Sequence, residues 1–211
     1  MSKHYPAIAF TDDVQHAQSE HGSDTFYRRK AVAGSASAGP DPLTDDEQVF
    51  LRERDGFYLA TVSQTGWPYV QFRGGPPGFV HTLDEHTIAW ADFRGNLQYI
   101  STGNLSGDDR VAIIAMDYAR RTRLKIFGRA RIVSAEADAE LAHSLADPAY
   151  EAVVERSVVV SVDAFDWNCP QHITPRFSVA ELEPGLSRLQ GRIETLEAEN
   201  AELRHRLTGA S

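Results

Sequence analysis

Phe57-Tyr-Leu-Ala-Thr-Val-Ser-Gln-Thr-Gly-Trp-Pro-Tyr-Val-Gln-Phe-Arg73 reads as two strands and the turn between them. The first half, Phe57–Ser63, is β-branched and aromatic, and Gln64-Thr-Gly-Trp67 supplies turn chemistry. The second half alternates, with Val70 and Phe72 on one face and Gln71 and Arg73 on the other. Gly74-Gly-Pro-Pro-Gly78 breaks it, since proline has no amide to give a ladder. Beyond the break, Phe79–Leu83 and Thr87–Asp92 form a second hairpin across Asp84-Glu-His86. Short runs of period two between turn residues predict antiparallel pairing.

The pattern changes in Ile88-Ala-Trp-Ala-Asp-Phe-Arg-Gly-Asn-Leu-Gln-Tyr-Ile-Ser-Thr102. A half-buried strand carrying Ile88 and Trp90 gives way at Arg94-Gly95-Asn96 to helical spacing through Leu97, Ile100 and Leu105, predicting a helix from Gly95 to about Leu105. A strand that ends at a cation and then opens a helix sets free backbone N–H groups beside a positive charge. That is the physical basis of an anion site, most often for phosphate. The plainer reading is a strand-to-helix turn with a solvated arginine.

Further along, Arg110–Tyr118 is nearly continuous in apolar residues, as expected of a strand covered on both sides. In Leu124–Val133 the apolar parity slips around Gly128, which predicts a bulge or bend there. Ser134 is expected to cap a helix through Leu145, and Val153–Val162 is another β-branched strand. Upstream, Thr44-Asp-Asp-Glu47 has the outline of a capping box opening a helix that ends near Gly56. Six or seven strands with about three helices outside predict a mainly β fold, a β-barrel with peripheral helices.

Residues 1–44 read as an N-terminal arm and linker, with a short helix over Val14–His21 and a flexible run Gly34–Pro42. The barrel domain is expected over 45–178, and a C-terminal helix over 179–211. In that helix Leu186, Ile193, Asn200 and Leu207 take heptad position a, and Leu189, Leu196 and Leu203 take d. Leucine at d with one asparagine at a favours a parallel two-stranded coiled coil, and Arg192–Glu197 and Glu199–Arg204 are opposite-sign g-to-e pairs. An amphipathic helix packed on its own domain leaves both features without a reason. The helix therefore argues for a homodimer.

The chain has 211 residues and a net charge of −9, which argues against a general nucleic-acid or anionic-membrane surface. No apolar run is long enough to span a bilayer, and the N-terminus has no signal-peptide core, so a cytoplasmic location is expected. A single cysteine, Cys169, excludes an internal disulfide. His4, His16 and His21 lack metal-ligand spacing, and no metal site is expected. No catalytic residue stands out: Cys169 and His172 lie close together, but in a proline-bounded loop, Asp166–Arg176, with no acidic partner. That loop has the composition of a pocket wall. Arg73, Arg94 and Arg123 stand at strand ends, and their convergence would make an anion site.

Several segments in order resemble the pyridoxamine 5'-phosphate oxidase-like FMN-binding split barrels, within a subgroup of predicted flavin-nucleotide-binding proteins. They are Gly66–Phe79, Phe93–Leu105, Asp108–Tyr118, Arg123–Arg131 and Trp167–Ile173, and the resemblance covers roughly 45–178. It implies a homodimer with FMN sites at the subunit interface. Strand Val70-Gln71-Phe72-Arg73 would run along the flavin, beside Asp92 and Phe93. Arg94 would hold the FMN phosphate, with Asn96 and Gln98 on the phosphate or ribityl chain. The oxidase has a lysine where this chain has Gly95, and the subgroup often has an arginine where it has Leu97, so phosphate charge would rest on Arg94, Arg73 or Arg123. Trp167, Asn168 and Gln171 would border the cofactor, with His172 and Arg176 toward a small-molecule substrate. The oxidase's C-terminal Arg-x-His signature is absent, which implies a different substrate. The resemblance thus implies an FMN-dependent oxidoreductase with NAD(P)H as a candidate electron donor. The alternative is a flavin-binding or sensing module without turnover, its coiled coil serving dimerisation or partner docking. A haem-handling split barrel ranks below both, because no axial histidine is identifiable.

Overall fold

A computed structural model describes residues 4–28 and 39–209. Seven strands form one antiparallel sheet: β1 (Gly56–Val62), β2 (Pro68–Gly74), β3 (Val80–Asp84), β4 (Thr87–Phe93), β5 (Arg110–Asp117), β6 (Thr122–Ser134) and β7 (Val154–Trp167). Their order across the sheet is β2-β1-β5-β6-β7-β4-β3, so both hairpins predicted from sequence sit at its edges. The sheet curls. Phe57 of β1 stacks on Phe79 beside β3 at 5.8 Å and meets Trp90 of β4 edge-on at 4.9 Å. One apolar core, including Leu59, Ile88, Ile113, Ile126 and Val160, fills the inside of a split barrel.

The bend at Gly128 is present, with a register shift between Phe127 and Gly128 against β7. A side chain at Gly128 would meet the Ser161 carbonyl oxygen at 2.5 Å, so the close approach of β7 requires glycine. β5 departs from expectation: it alternates, with Val111, Ile113, Ala115 and Asp117 buried and the opposite face half-exposed. Its apolar run is thus covered fully on one side only. β7 continues to Trp167, so the segment read as a loop from Asp166 starts inside a strand.

The helices are α1 (Tyr5–Ala9), α2 (Asp12–Glu20), α3 (Asp45–Arg52), α4 (Ile100–Gly107), α5 (Ala139–Ser144) and α6 (Val179–Gly209), with further helical residues at 24–28. The capping box of α3 is formed: the Thr44 amide donates to Glu47 at 2.9 Å. α5 is shorter than predicted and is capped by Asp138, whose carboxylate accepts from the Leu141 amide at 2.9 Å. Ser134 caps a separate turn instead, accepting from Ala137 N. Part of the N-terminal arm packs on the barrel, with Tyr5 stacked on Phe127 at 4.9 Å. The linker reading at Gly34–Pro42 lies mostly outside the described residues.

The chain divides into two compact units, one of 1–117 with 121–171 and one of 118–120 with 172–211. In the second, α6 opens on a capping box, Ser178 donating its amide to Glu181 at 2.8 Å and accepting the Glu181 amide at 3.2 Å.

Candidate functional site

Asp92 near the end of β4 faces Arg156 of β7 across the ladder. Its carboxylate is 6% exposed; Arg73 Nη1 donates to Oδ1 at 2.6 Å, and Arg156 Nε lies 3.2 Å from Oδ2. β2 and β4 lie toward opposite edges of the sheet, so the Arg73–Asp92 pair clasps the barrel across its split. Burial pushes the Asp92 carboxyl up from its ordinary value, and the two guanidiniums oppose that shift.

Between Asp92 and Phe93 the β4–β7 register slips: Asp92 pairs with Arg156 and Phe93 with Val154, which leaves Glu155 as the extra residue. In a regular strand Glu155 and Arg156 would point to opposite faces; the bulge lets both line one cleft. Glu155 accepts from Arg94 Nε at 2.8 Å, from Arg156 Nη2, and from the Tyr99 hydroxyl at 3.4 Å. The Arg94 hydrogen bond holds the Glu155 carboxyl below its ordinary value and raises Arg94 in turn. Arg156 also lies over the Tyr99 ring, 4.8 Å from its centroid.

The helix expected from Gly95 starts later, at Ile100. Leu97 (φ 61°) and Tyr99 (φ 52°) are left-handed, a conformation that cannot propagate a right-handed helix. Residues 94–99 are therefore a loop, shaped in part by Asn96, whose side chain accepts from the Gln98 amide at 3.2 Å. α4 is pinned to the barrel at two points. Ser101 Oγ donates to Gln71 Oε1 at 2.9 Å and Asn104 Nδ2 donates to Thr61 Oγ1 at 3.0 Å. The first-turn amides of Ile100, Ser101 and Thr102 have no acceptor within the helix, which is the rule for any helix start.

These pieces enclose a cleft of about 240 Å³ lined by Gln71, Arg73, Asp92, Phe93, residues 95–102, Glu155 and Arg156. A second cleft of about 460 Å³ adjoins it, sharing Tyr99, Glu155 and Arg156 and adding Arg94, Ile132 and Ser134–Glu136. Ion pairs join three arginines, Arg73, Arg94 and Arg156, to two carboxylates, Asp92 and Glu155, and Glu136 on the wall of the larger cleft brings the lining of the two clefts to charge balance. Arg73 Nε is buried without a hydrogen-bond partner among the described residues, and Arg156 Nε is buried with an ionic contact to Asp92 that lacks hydrogen-bond geometry. A buried donor left unpaired costs about 1–3 kcal/mol, more when charged. A phosphate monoester offers only acceptor oxygens, so these donors fit the phosphate end of FMN.

Of the residues expected at the site, Gln71, Arg73, Asp92, Phe93, Asn96 and Gln98 come together in the smaller cleft. Arg94 lines the adjoining one. Val70 and Phe72, on the other face of β2, are 59% and 57% exposed. The convergence of Arg73, Arg94 and Arg123 holds for the first two only. Arg123 pairs with Met116, whereas Ser134, at the far end of the same strand, is the residue level with Arg156. At about 3.3 Å per residue that separates Arg123 from the cleft by roughly 30 Å or more along β6. Trp167 is also elsewhere: its indole donates to the buried Glu47 at 2.5 Å and meets Phe50 edge-on at 4.8 Å. Asn168 accepts from its neighbour Cys169, and Gln171 is exposed. His172 and Arg176 belong to the second unit, where Arg176 lies over Tyr118 at 4.9 Å. Sequence reading missed Arg156, Glu155, Tyr99 and Ser101. One signal was available: adjacent opposite charges, Glu155-Arg156, inside an otherwise β-branched strand.

Residues 43–168 match the family model described as pyridoxamine 5'-phosphate oxidase. No curated protein matches the chain. Among solved structures, HupZ of Group A Streptococcus is 18% identical over 64% of this chain and 100% of its own, with a TM-score of 0.48. General stress protein 26 of Bacillus anthracis is 14% identical over 63% and 95%, with a TM-score of 0.44. An FMN-binding protein of Syntrophomonas wolfei is 12% identical over 58% and 82%, with a TM-score of 0.41. Likenesses this distant specify neither a ligand nor a reaction.

Proposed function

The chain belongs to the pyridoxamine 5'-phosphate oxidase family, and from that premise we propose that it binds FMN as a flavoprotein oxidoreductase acting on a substrate other than pyridoxamine phosphate. The observation that supports this reading is the pair of buried guanidiniums, Arg73 with its Nε unpartnered and Arg156 with its Nε only in ionic contact with Asp92, in the cleft that also receives the start of α4. There the FMN phosphate would take the free first-turn amides and the two guanidiniums. Arg156 answers the charge deficit at Gly95 and Leu97, and Arg94 adds charge from the adjoining cleft. Bound FMN supplies hydride chemistry; the protein binds and orients it. In this reading the working form is a cytoplasmic homodimer with flavin at the subunit interface, reduced by NAD(P)H and serving a small-molecule substrate.

The test compares FMN with riboflavin, which lacks the phosphate. Purified protein should be yellow, bind FMN more tightly than riboflavin, and lose that preference in Arg156→Met. Colourless protein that takes up neither flavin refutes the reading. A second reading, flavin binding without turnover, is favoured by one observation: both carboxylates lining the cleft are tied up in ion pairs, which removes them as free acids or bases. Anaerobic addition of NADPH or NADH decides between them, since only the oxidoreductase bleaches.

A further inference from the structure

α6 runs for 31 residues, about 46 Å at 1.5 Å per residue, and none of its residues is buried. Leu182, Leu186, Leu189, Ile193, Leu196, Leu203 and Leu207 are each 42–75% exposed. They fall in one stripe by the a/d spacing, so the described chain leaves the helix's whole apolar seam uncovered. An exposed seam of this length is a liability in water unless something covers it.

From this we infer that α6 pairs with α6 of a second copy as a parallel, in-register two-stranded coiled coil. Two features select this occupant over a different protein or the chain's own barrel. Asn200 is the polar residue at an a position in the seam, and an amide there is satisfied when the same amide of a second copy faces it in register. An antiparallel or shifted arrangement would set Asn200 against leucine and leave it unpaired. The flanking charges give the same answer. Arg192 at g faces Glu197 at e of the partner helix, and Glu199 at g faces Arg204 at e, each pair occurring twice by symmetry.

The helix also marks where the coil can begin. Pro184 lies inside α6 and cannot donate to the carbonyl of Ala180, and Gly185 follows it. The weakened turn divides a short capped segment, Val179–Glu183, from the regular heptads that start at Leu186. Three heptads are marginal in isolation, so the paired helices add to a dimer held elsewhere as well.

Single-cysteine cross-linking of the full chain tests the inference. In a Cys169→Ser background, Leu203→Cys places a thiol at d in the seam, and Ala198→Cys places one at f on the outer face. A parallel, in-register coil brings the two residues 203 within disulfide reach and holds the two residues 198 apart. Mild oxidation should therefore move most of the Leu203→Cys protein to twice the chain mass and leave Ala198→Cys at the single mass. Cross-linking at neither position, as an antiparallel pair, a foreign partner or a helix docked on its own barrel would give, overturns the inference. Equal cross-linking at both, the sign of random collision, also overturns it. Far-UV circular dichroism of the reduced variants confirms that each retains the helix, so that loss of cross-linking reports pairing.

Discussion

Glu155 is the residue whose removal should strengthen the candidate site. It holds Arg94 and Arg156 and competes with any anion for both. Glu155→Gln keeps the shape and raises the net charge of the cleft lining by one. A cleft of about 240 Å³ is equivalent to a sphere of roughly 4 Å radius, which puts a bound phosphate about 6 Å from the Glu155 charge. For a phosphate of charge near −2, Coulomb repulsion at that separation is about 1.4 kcal/mol in a water-like dielectric and about 5 kcal/mol at an effective dielectric near 20. The clefts are open to solvent, so the lower figure applies, and FMN and inorganic phosphate should each bind about tenfold more tightly. The structural cost is limited, because the Arg94 pair, with Arg94 59% exposed, is worth about 0–1 kcal/mol, and the mostly buried Arg156 keeps its second carboxylate, Asp92. Titration calorimetry at low ionic strength measures the gain, and it should fade toward 1 M salt as the Debye length drops to about 3 Å. Unchanged or weaker affinity in a folded Glu155→Gln protein would refute the reasoning, by showing that this carboxylate does not oppose an anion in the cleft.

Two further expectations concern the scaffold. Gly128→Ala forces a methyl against the Ser161 carbonyl oxygen and Val160, and should cost about 1–3 kcal/mol, a fall of roughly 5 °C in Tm by calorimetry. An unchanged Tm would mean that β7 can move away at no cost. Asp108 is held down to about 2 by its hydrogen bonds from Arg110. A carboxyl with a lowered folded-state value adds stability above its unfolded value near 4 and loses it as pH falls through about 2. Asp108→Asn should therefore flatten the acid limb of a Tm-against-pH curve within that window while leaving the curve above pH 5 parallel to the parent.

Local chemistry was enough for much of the architecture. The capping box at Thr44–Glu47, the two edge hairpins and the bend at Gly128 each depend on residues close in sequence, and each formed where the pattern put it. The family resemblance was likewise legible, because it rests on ordered segments of the chain. The reading lost accuracy wherever backbone conformation departed from the default. Leu97 and Tyr99 adopt left-handed geometry that nothing in their side chains announces, and this moved the start of α4 from Gly95 to Ile100.

The site shows the same division. By itself the sequence determined that Gln71 and Arg73 share a face of β2, that Asp92 and Phe93 end β4, and that cations sit at strand ends. It could not determine which cations meet. Arg123 and Arg156 are both strand arginines, yet only Arg156 reaches Asp92, because β6 and β7 pair antiparallel and place Arg123 at the opposite end of the barrel. Nor could it show the bulge that turns Glu155 to the same side as Arg156, since that extra residue exists only relative to the partner strand β4. Period and propensity act over a few residues, and the sequence carries them openly. Charge balance in a cleft depends on strand order and register, which long-range packing decides.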